Sequence, residues 1–487
     1  MFDRRGFLVS SRPGKTTIVY FFSQVGTTLA GGIATWYINA ELGPGPYGEY
    51  SIAVAFLFWL NIPASALGEA VKKRVSEGDN RGSFLTAGHA LNLAVHIVLT
   101  ALILAFGEQV NILVGLEVAR YFAALVAARA LFDLALSSLR GYKQVGTSGG
   151  LKTLEQIFRS GIHIGTLFFL GVGVGGLVLG HATAMFLATA VGLTLLDGRP
   201  NRPKRRHFTG LLKYARYSWL GTLKTRAFAW TDVLVMRGLS LSVIGLAAVS
   251  KSEIGIYKVA WTVASVLALV SIAIKQTLFP EFSELGVDED YERVHHFLNE
   301  GLTFTGIFAI PGMFGALVVG DTILTIFGPE YARGGAILVI LISSRLLAAY
   351  GEQFLNTINA IDRPDVAFRV NLAYVAANVV LNFGLITLFG WYGAAFATAL
   401  ASFTSLVLGA YALQDIIGSP DIPFGELGSQ TLAATVMLGA VLGLRRFLPQ
   451  TLAWTLALVA FGAAVYVVVL IGLSSRIRRK AIGFLPG

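Results

Sequence analysis

Cysteine is absent from all 487 residues. Its absence excludes a disulfide framework, thiolate metal sites and cysteine nucleophiles together. Charge is scarce too: Asp, Glu, Lys and Arg make up 14% of the chain, against roughly 25% in a soluble globular protein. Polar loops are short, and none between the apolar runs could hold a soluble domain. What remains is apolar. Hydrophobic residues make up 55% of the chain and the mean hydropathy is +0.67. A soluble protein of this composition would have too little polar surface to face water, so the chain reads as an all-α polytopic membrane protein whose activity lives among its helices.

A membrane-crossing helix needs about 20 mostly apolar residues. Such runs fall near 17–39, 48–71, 84–106, 111–138, 150–172, 174–196, 214–238, 253–279, 301–320, 332–358, 366–388, 390–416, 430–448 and 451–474. The expectation is about 14 transmembrane helices. The first run is too long for the roughly 7–15-residue apolar core of a secretory signal, so it reads as a retained span.

The formal net charge of +10 is read from where the charges sit. Lysine and arginine concentrate in alternate loops: KKRVSEGDNR after the second run, RGYKQ after the fourth, RPNRPKRRH after the sixth, and the tail SSRIRRK. The positive-inside rule then places both termini in the cytoplasm of a multi-pass protein of the cell (plasma or inner) membrane. Lys251, Arg333 and the pair Arg445–Arg446 run against the pattern. The cluster Arg199 to Arg206 reads as a topology anchor between two halves, and no nucleic acid is expected as a partner. His295 and His296 are adjacent and point different ways on a helix, so no metal and no cofactor is expected.

The chain repeats itself. Gly48, Tyr50 and Ala53 open the second span, and Gly255, Tyr257 and Ala260 open the eighth, 207 positions later. Ser76–Glu77 and Ser283–Glu284 keep the offset. Both copies start on the same side, which implies two six-helix lobes in a parallel pseudo-two-fold arrangement. The expected organisation is residues 1–212 as the first lobe, 213–416 as the second, and 417–487 as two further helices with a basic tail.

Charges in mid-membrane cost about 2.5–3.5 kcal/mol on insertion scales and face a cavity or a partner. Arg120, Arg129, Asp133, Glu155, Arg159, Lys224, Arg226, Asp232, Arg237, Lys258, Lys275, Arg345 and Glu352 lie within the runs, and cations predominate. Arg129–Asp133 and Glu155–Arg159 have the i,i+4 spacing of intrahelical pairs. Arg237 and Lys258 lie near the outer surface, where their long stems can snorkel, and Lys224 and Arg226 lie towards the cytoplasmic end, where theirs can do likewise. Arg345, Glu352 and Asn359, with Asn356, form a polar stripe on the tenth span; Asn371, Asn378 and Asn382 form another on the eleventh. These stripes either bond each other as interhelical glue or line a hydrated groove. The cation surplus suits an anionic passenger, since arginine holds phosphate bidentately. Arg129, Arg159, Arg226, Lys275 and Arg345 are therefore candidates for a cationic lumen, with Glu352, Asn356 and Asn378 as sugar-bonding groups. Asp232 and Glu69 are placed to bind a coupling ion.

Several stretches together resemble the Wzx-like polysaccharide and lipid-linked oligosaccharide flippases of the multidrug/oligosaccharidyl-lipid/polysaccharide exporter superfamily. They are LGPGPYGEYSIAVAF, Arg140–Gly141, Arg159, Asp232 followed by GIYKVA and LFPEFSEL, IFGPEY, and NFGLITLFGWYGAAFATAL. The resemblance implies alternating access that carries a lipid-phosphate- or diphosphate-linked glycan to the outer leaflet. Membrane lipids, and a glycan polymerase or glycosyltransferase machinery, would be its partners. The rival readings are a cation-coupled drug or metabolite antiporter of the same superfamily, a membrane glycan polymerase or ligase, and a scramblase. The chain has neither large outer loops nor a clustered acid–base set, so it is not read as an enzyme.

Overall fold

The computed structural model describes residues 12–115, 117–241, 249–267, 291–449 and 451–483. Among them there is no strand. Among the described residues nine helices are long and apolar enough to cross a membrane, or ten if one bent pair counts as a single span.

The chain divides into two compact units, Met1–Leu241 and Ser242–Gly487. The first unit holds α1 (Arg12–Leu42), α2 (Pro44–Leu60), α3 (Ile62–Ser76), α4 (Arg81–Ala105), α5 (Gly107–Val114), α6 (Ala119–Gly141), α7 (Val145–Leu170), α8 (Val174–Thr194) and α9 (Arg205–Leu241). Within it α3 packs on α4, α6 and α9. Ala66, Leu67, Val71, Leu134 and Leu211 close that contact. The helix expected from the sequence to open the second lobe, α9, thus packs on α2, α3 and α4 of the first unit.

The second expected span is two helices, α2 and α3, bent by 49°. Pro63 lies in the first turn of α3. It has no N–H to donate back to the Trp59 carbonyl, so the helix cannot run straight through. The bend sits at Asn61, fully buried, and it directs the next two turns toward α6.

The second unit holds α10 (Lys251–Val266), α11 (Tyr291–Leu324), α12 (Gly335–Ala360), α13 (Pro364–Phe389), α14 (Trp391–Ile417), α15 (Phe424–Arg445), α16 (Leu452–Leu473) and α17 (Ser475–Gly483). A capping box starts α10: the Glu253 N–H donates to Ser250 Oγ at 3.2 Å, and the Ser250 N–H donates to Glu253 Oε2 at 2.8 Å. This pairing satisfies two of the donors that a helix start leaves open. At the middle of the unit α14 packs on both α12 and α13, and α11 packs on α12, α15 and α16. The polar part of the segment before the ninth span, from Tyr291, is the first part of α11 itself.

All six residues of the repeated motif that fall on α2 and α10 are buried. Ser283–Glu284, LFPEFSEL and Lys275 lie outside the described residues.

Candidate functional site

The first unit contains a cavity of about 720 Å³, within the 300–1,000 Å³ usual for ligand sites. Its walls come from α3 (Ser65, Glu69), α6 (Arg129, Asp133, Ser137, Arg140), α7 (Lys152) and α9 (Tyr214, Ser218, Arg226). Arg140 ends α6 and Lys152 lies early in α7. The cavity therefore reaches the end of the unit that carries the basic loops.

Four cations and two carboxylates line it. Both carboxylates are already held. Asp133 takes Arg129 bidentately, with Nη2 at 2.9 Å from Oδ1 and Nε at 3.0 Å from Oδ2. The Asn61 amide, at the bend, donates to the same Oδ2 at 2.6 Å. Glu69 pairs with Lys72 on its own helix. Arg140 donates to Ser148 Oγ at 3.3 Å, a neutral partner. Arg226 has no carboxylate partner among the described residues, and its buried Nε makes no hydrogen bond. Its guanidinium carbon stands 4.3 Å from the centroid of Phe58. A guanidinium with no carboxylate partner among the described residues thus faces the cavity.

The cavity brings together three of the residues proposed from the sequence to bind the passenger or a coupling ion, Arg129, Arg226 and Glu69, along with Asp133 and Arg140. Arg159 is not among its walls. It pairs with Glu155 at 3.0 Å and bonds Gln156. Glu155 also lies 3.8 Å from His181 Nε2, and the Tyr50 hydroxyl meets His181 Nδ1 at 2.8 Å. The tyrosine of the repeated motif is thus built into a buried polar network of the same unit. Asp232 is buried and accepts the Val233 N–H at 2.8 Å. Both intrahelical pairs expected from i,i+4 spacing form.

The other candidates lie in the second unit. Arg345 stacks over Trp261 at 4.0 Å and donates to Ser265 Oγ. Glu352 is half-buried on α12. Asn356 and Asn378 are buried, and the Asn356 amide nitrogen and Asn378 amide oxygen have no partner. Among the described residues no hydrogen bond joins Asn356, Asn378 or Asn382 across from α12 to α13; Asn382 donates to the Asn378 carbonyl on its own helix at 2.7 Å.

Arg237 and Lys258 depart from the snorkelling expected of them. Arg237 is buried and donates to the carbonyls of Leu113 and Ile112 at 2.8 and 2.6 Å. It thereby caps the end of α5, whose last carbonyls have no helical partner. Lys258 is also buried, with its ammonium 5.2 Å from the Trp261 ring.

Sequence reasoning missed Lys152 and Asn61, took Arg140 only as part of a loop and a motif, and gave Phe58 no role. A single Lys or Phe in an apolar run carries no pattern. The one available signal was Asn61–Ile62–Pro63, a helix-breaking proline behind a buried amide.

A model of the family described as polysaccharide biosynthesis protein matches residues 42–333. The probable flippase AglR of Haloferax volcanii is 30% identical over 473 residues, covering 96% of this chain and 97% of the relative. The chain belongs to the polysaccharide biosynthesis protein family. Within the similarity to this family, a probable low-salt glycan biosynthesis flippase of the same archaeon is 28% identical, covering 84% of this chain and 85% of that protein. Among solved structures, the lipid II flippase MurJ in an inward closed conformation aligns with a TM-score of 0.80 at 16% identity, over 96% of this chain and 100% of that one. An inward-facing multidrug resistance MATE family transporter of the MOP superfamily aligns at 0.67 and 12% identity, over 82% of this chain and 98% of that one. The family member described here has the fold of those transporters.

Proposed function

We propose that this protein is an alternating-access transporter that carries a lipid-phosphate- or lipid-diphosphate-linked oligosaccharide from the cytoplasmic to the outer leaflet. The product would feed cell-surface polysaccharide or glycoprotein assembly. The observation that carries the reading is Arg226, a guanidinium with no carboxylate partner among the described residues and an unbonded Nε, in a cavity whose two acids are already engaged. An anionic head group supplies the missing charge and accepts the N–H donors. A cationic drug would meet repulsion from the same wall. The names given to the Haloferax relatives, both flippases, support this reading.

The cavity lies at the basic-loop end of its unit, which the positive-inside rule assigns to the cytoplasm; the head group would load there, in the cell membrane, with both termini on the same side. Residues 1–212 and 213–416 are then the two halves that move, and 417–487 the added pair with its basic tail. The repeat assigns α9 to the second half, and packing holds it on the first. Arg345, Glu352, Asn356 and Asn378 are assigned to the glycan path, where amides with spare bonding capacity suit sugar hydroxyls. Arg159, held by Glu155, and Lys275 are assigned to later stations of the anion. Asp232 is the acid assigned to a coupling ion; Glu69, already paired with Lys72, is the weaker choice. The protein performs no chemistry on the glycan and hands it to polymerase or glycosyltransferase machinery.

Reconstitution into vesicles with a defined lipid-linked sugar, with and without an ion gradient, tests this. The Arg226→Gln variant loses about 10- to 100-fold in transfer rate, the worth of one hydrogen bond to a charged group, while its thermal stability holds. Wild-type transfer by that variant would reject the reading. So would equal transfer of a lipid-linked sugar that lacks phosphate.

A further inference from the structure

Two guanidinium groups in one cavity repel each other. Asp133 accounts for the position of Arg129, but among the described residues no carboxylate pairs with Arg226. An aromatic ring does. The Arg226 guanidinium carbon lies 4.3 Å from the Phe58 centroid, and that of Arg129 lies 4.7 Å from the same centroid. Phe58 comes from the end of α2, one turn before the bend at Asn61, whereas Arg129 comes from α6 and Arg226 from α9. The ring is therefore the point where cations from two helices meet a third. Its own place is set by Trp230 of α9, stacked on it with centroids 5.1 Å apart and planes 25° apart.

A ring face attracts a cation through its quadrupole, by about 0.5–2 kcal/mol according to how dry the site is. It differs from a carboxylate in two ways that matter here. It carries no net charge, so it holds an arginine without cancelling it. It also accepts nothing in the plane of the guanidinium, so the N–H donors stay open to a planar or tetrahedral oxyanion. Asp133 spends the charge of Arg129 on folding, whereas Phe58 keeps the charge of Arg226 for a ligand. The missing hydrogen bond at Arg226 Nε is what such a support leaves.

We propose that Phe58 is a positioning residue for the anionic head group: its ring sets Arg226 beside Arg129 so that one phosphate or diphosphate engages both. The proposal rests on the reading of this cavity as the phosphate site. An apolar side chain that only filled the space between α2, α6 and α9 would have no such role, and the two possibilities differ in how they respond to ring electronics.

The test uses the full-length protein in detergent, titrated calorimetrically with geranyl diphosphate at fixed ionic strength. Replacement of Phe58 with ring-fluorinated phenylalanines keeps its shape and progressively reverses its quadrupole. Kd rises stepwise with fluorination, by about 3- to 30-fold at full substitution, with no drop in the unfolding temperature. Phe58→Leu weakens binding similarly, and Phe58→Trp restores it. Unchanged affinity with the fully fluorinated ring, in a protein whose binding is lost on Arg226→Gln, overturns the role of Phe58 and leaves the cavity reading standing. Binding unaffected by Arg226→Gln, or no binding by the wild type, overturns both.

Discussion

At the residue scale, Asp133 controls how cationic the cavity is. It binds Arg129 through both oxygens and takes the Asn61 amide as well. Its side chain is 13% exposed, dry enough for the pair to survive the screening that weakens surface salt bridges. Asp133→Asn removes one negative charge and keeps the shape. The cavity then holds a second arginine without a counter-charge, next to Arg226. An anionic passenger binds more tightly but leaves less readily, so KM and the maximal transfer rate both fall in vesicle assays. A rise in KM would show that Asp133 organises Arg129 for binding rather than restraining it. The sequence displayed Arg129 and Asp133 as a pair, because i,i+4 spacing is local. It could not display Arg226 as unpaired, because the acids that would neutralise it lie on other helices. Arg159 illustrates the same limit from the other side: the spacing to Glu155 was legible, but not that His181 and Tyr50 would close around that pair and draw it away from the cavity.

At the element scale, apolar length revealed most helices but not their interruptions. Span two reads as one run of hydropathy from 48 to 71, yet Pro63 breaks it into α2 and α3 with a 49° bend. Hydropathy averages over a window and does not register one missing N–H. The tight hairpin between α13 and α14 was legible as a motif without its reason. In NFGLITLFGWYGAAFATAL, Gly390 takes φ 59°, a left-handed turn that glycine adopts without strain. Three residues on, a Cβ at Gly393 would stand 2.0 Å from the Leu385 carbonyl oxygen. The close approach of the two backbones is what this glycine permits, as small residues do at membrane helix contacts. Gly393→Ala forces the hairpin apart and costs about 1–3 kcal/mol, as overpacking does. A lower unfolding temperature in detergent, with unchanged geranyl diphosphate affinity in the first-unit cavity, is the expected result. An unfolding temperature equal to that of the wild type would mean the hairpin opens without cost.

At the scale of the whole molecule, the residues of the repeated motif are packing residues: Gly48, Tyr50 and Ala53 are buried in one copy, Gly255, Tyr257 and Ala260 in the other. None of the six lines the first-unit cavity, so the echo falls on helix packing rather than on that site. The charge pattern sharpens in the same way once partners are visible. Arg333 and Arg445 stand in loops that should be neutral if both termini are cytoplasmic. Arg333 lies 3.5 Å from Glu253 and over the Trp391 ring at 5.4 Å. Arg445 lies 3.5 Å from Asp321 and bonds the Val318 carbonyl. Each lies beside an acid of the second unit, but the positive-inside rule counts lysines and arginines rather than net charge, so both, with Arg446, still run against the alternation set by the KKRVSEGDNR, RGYKQ and RPNRPKRRH loops. Because the chain contains no cysteine, a single introduced thiol reports its side of the membrane without background. Lys143→Cys and Asp362→Cys, in exposed turns of the basic-loop side, react with a membrane-impermeant maleimide only after cells are opened. Glu117→Cys and Pro449→Cys, exposed in the opposite loops, react in intact cells. Pro449 is the decisive position, since it lies beside Arg445–Arg446. Protection of Pro449→Cys in intact cells would place the end of α15 in the cytoplasm and break the alternation on which the fourteen-span expectation rests.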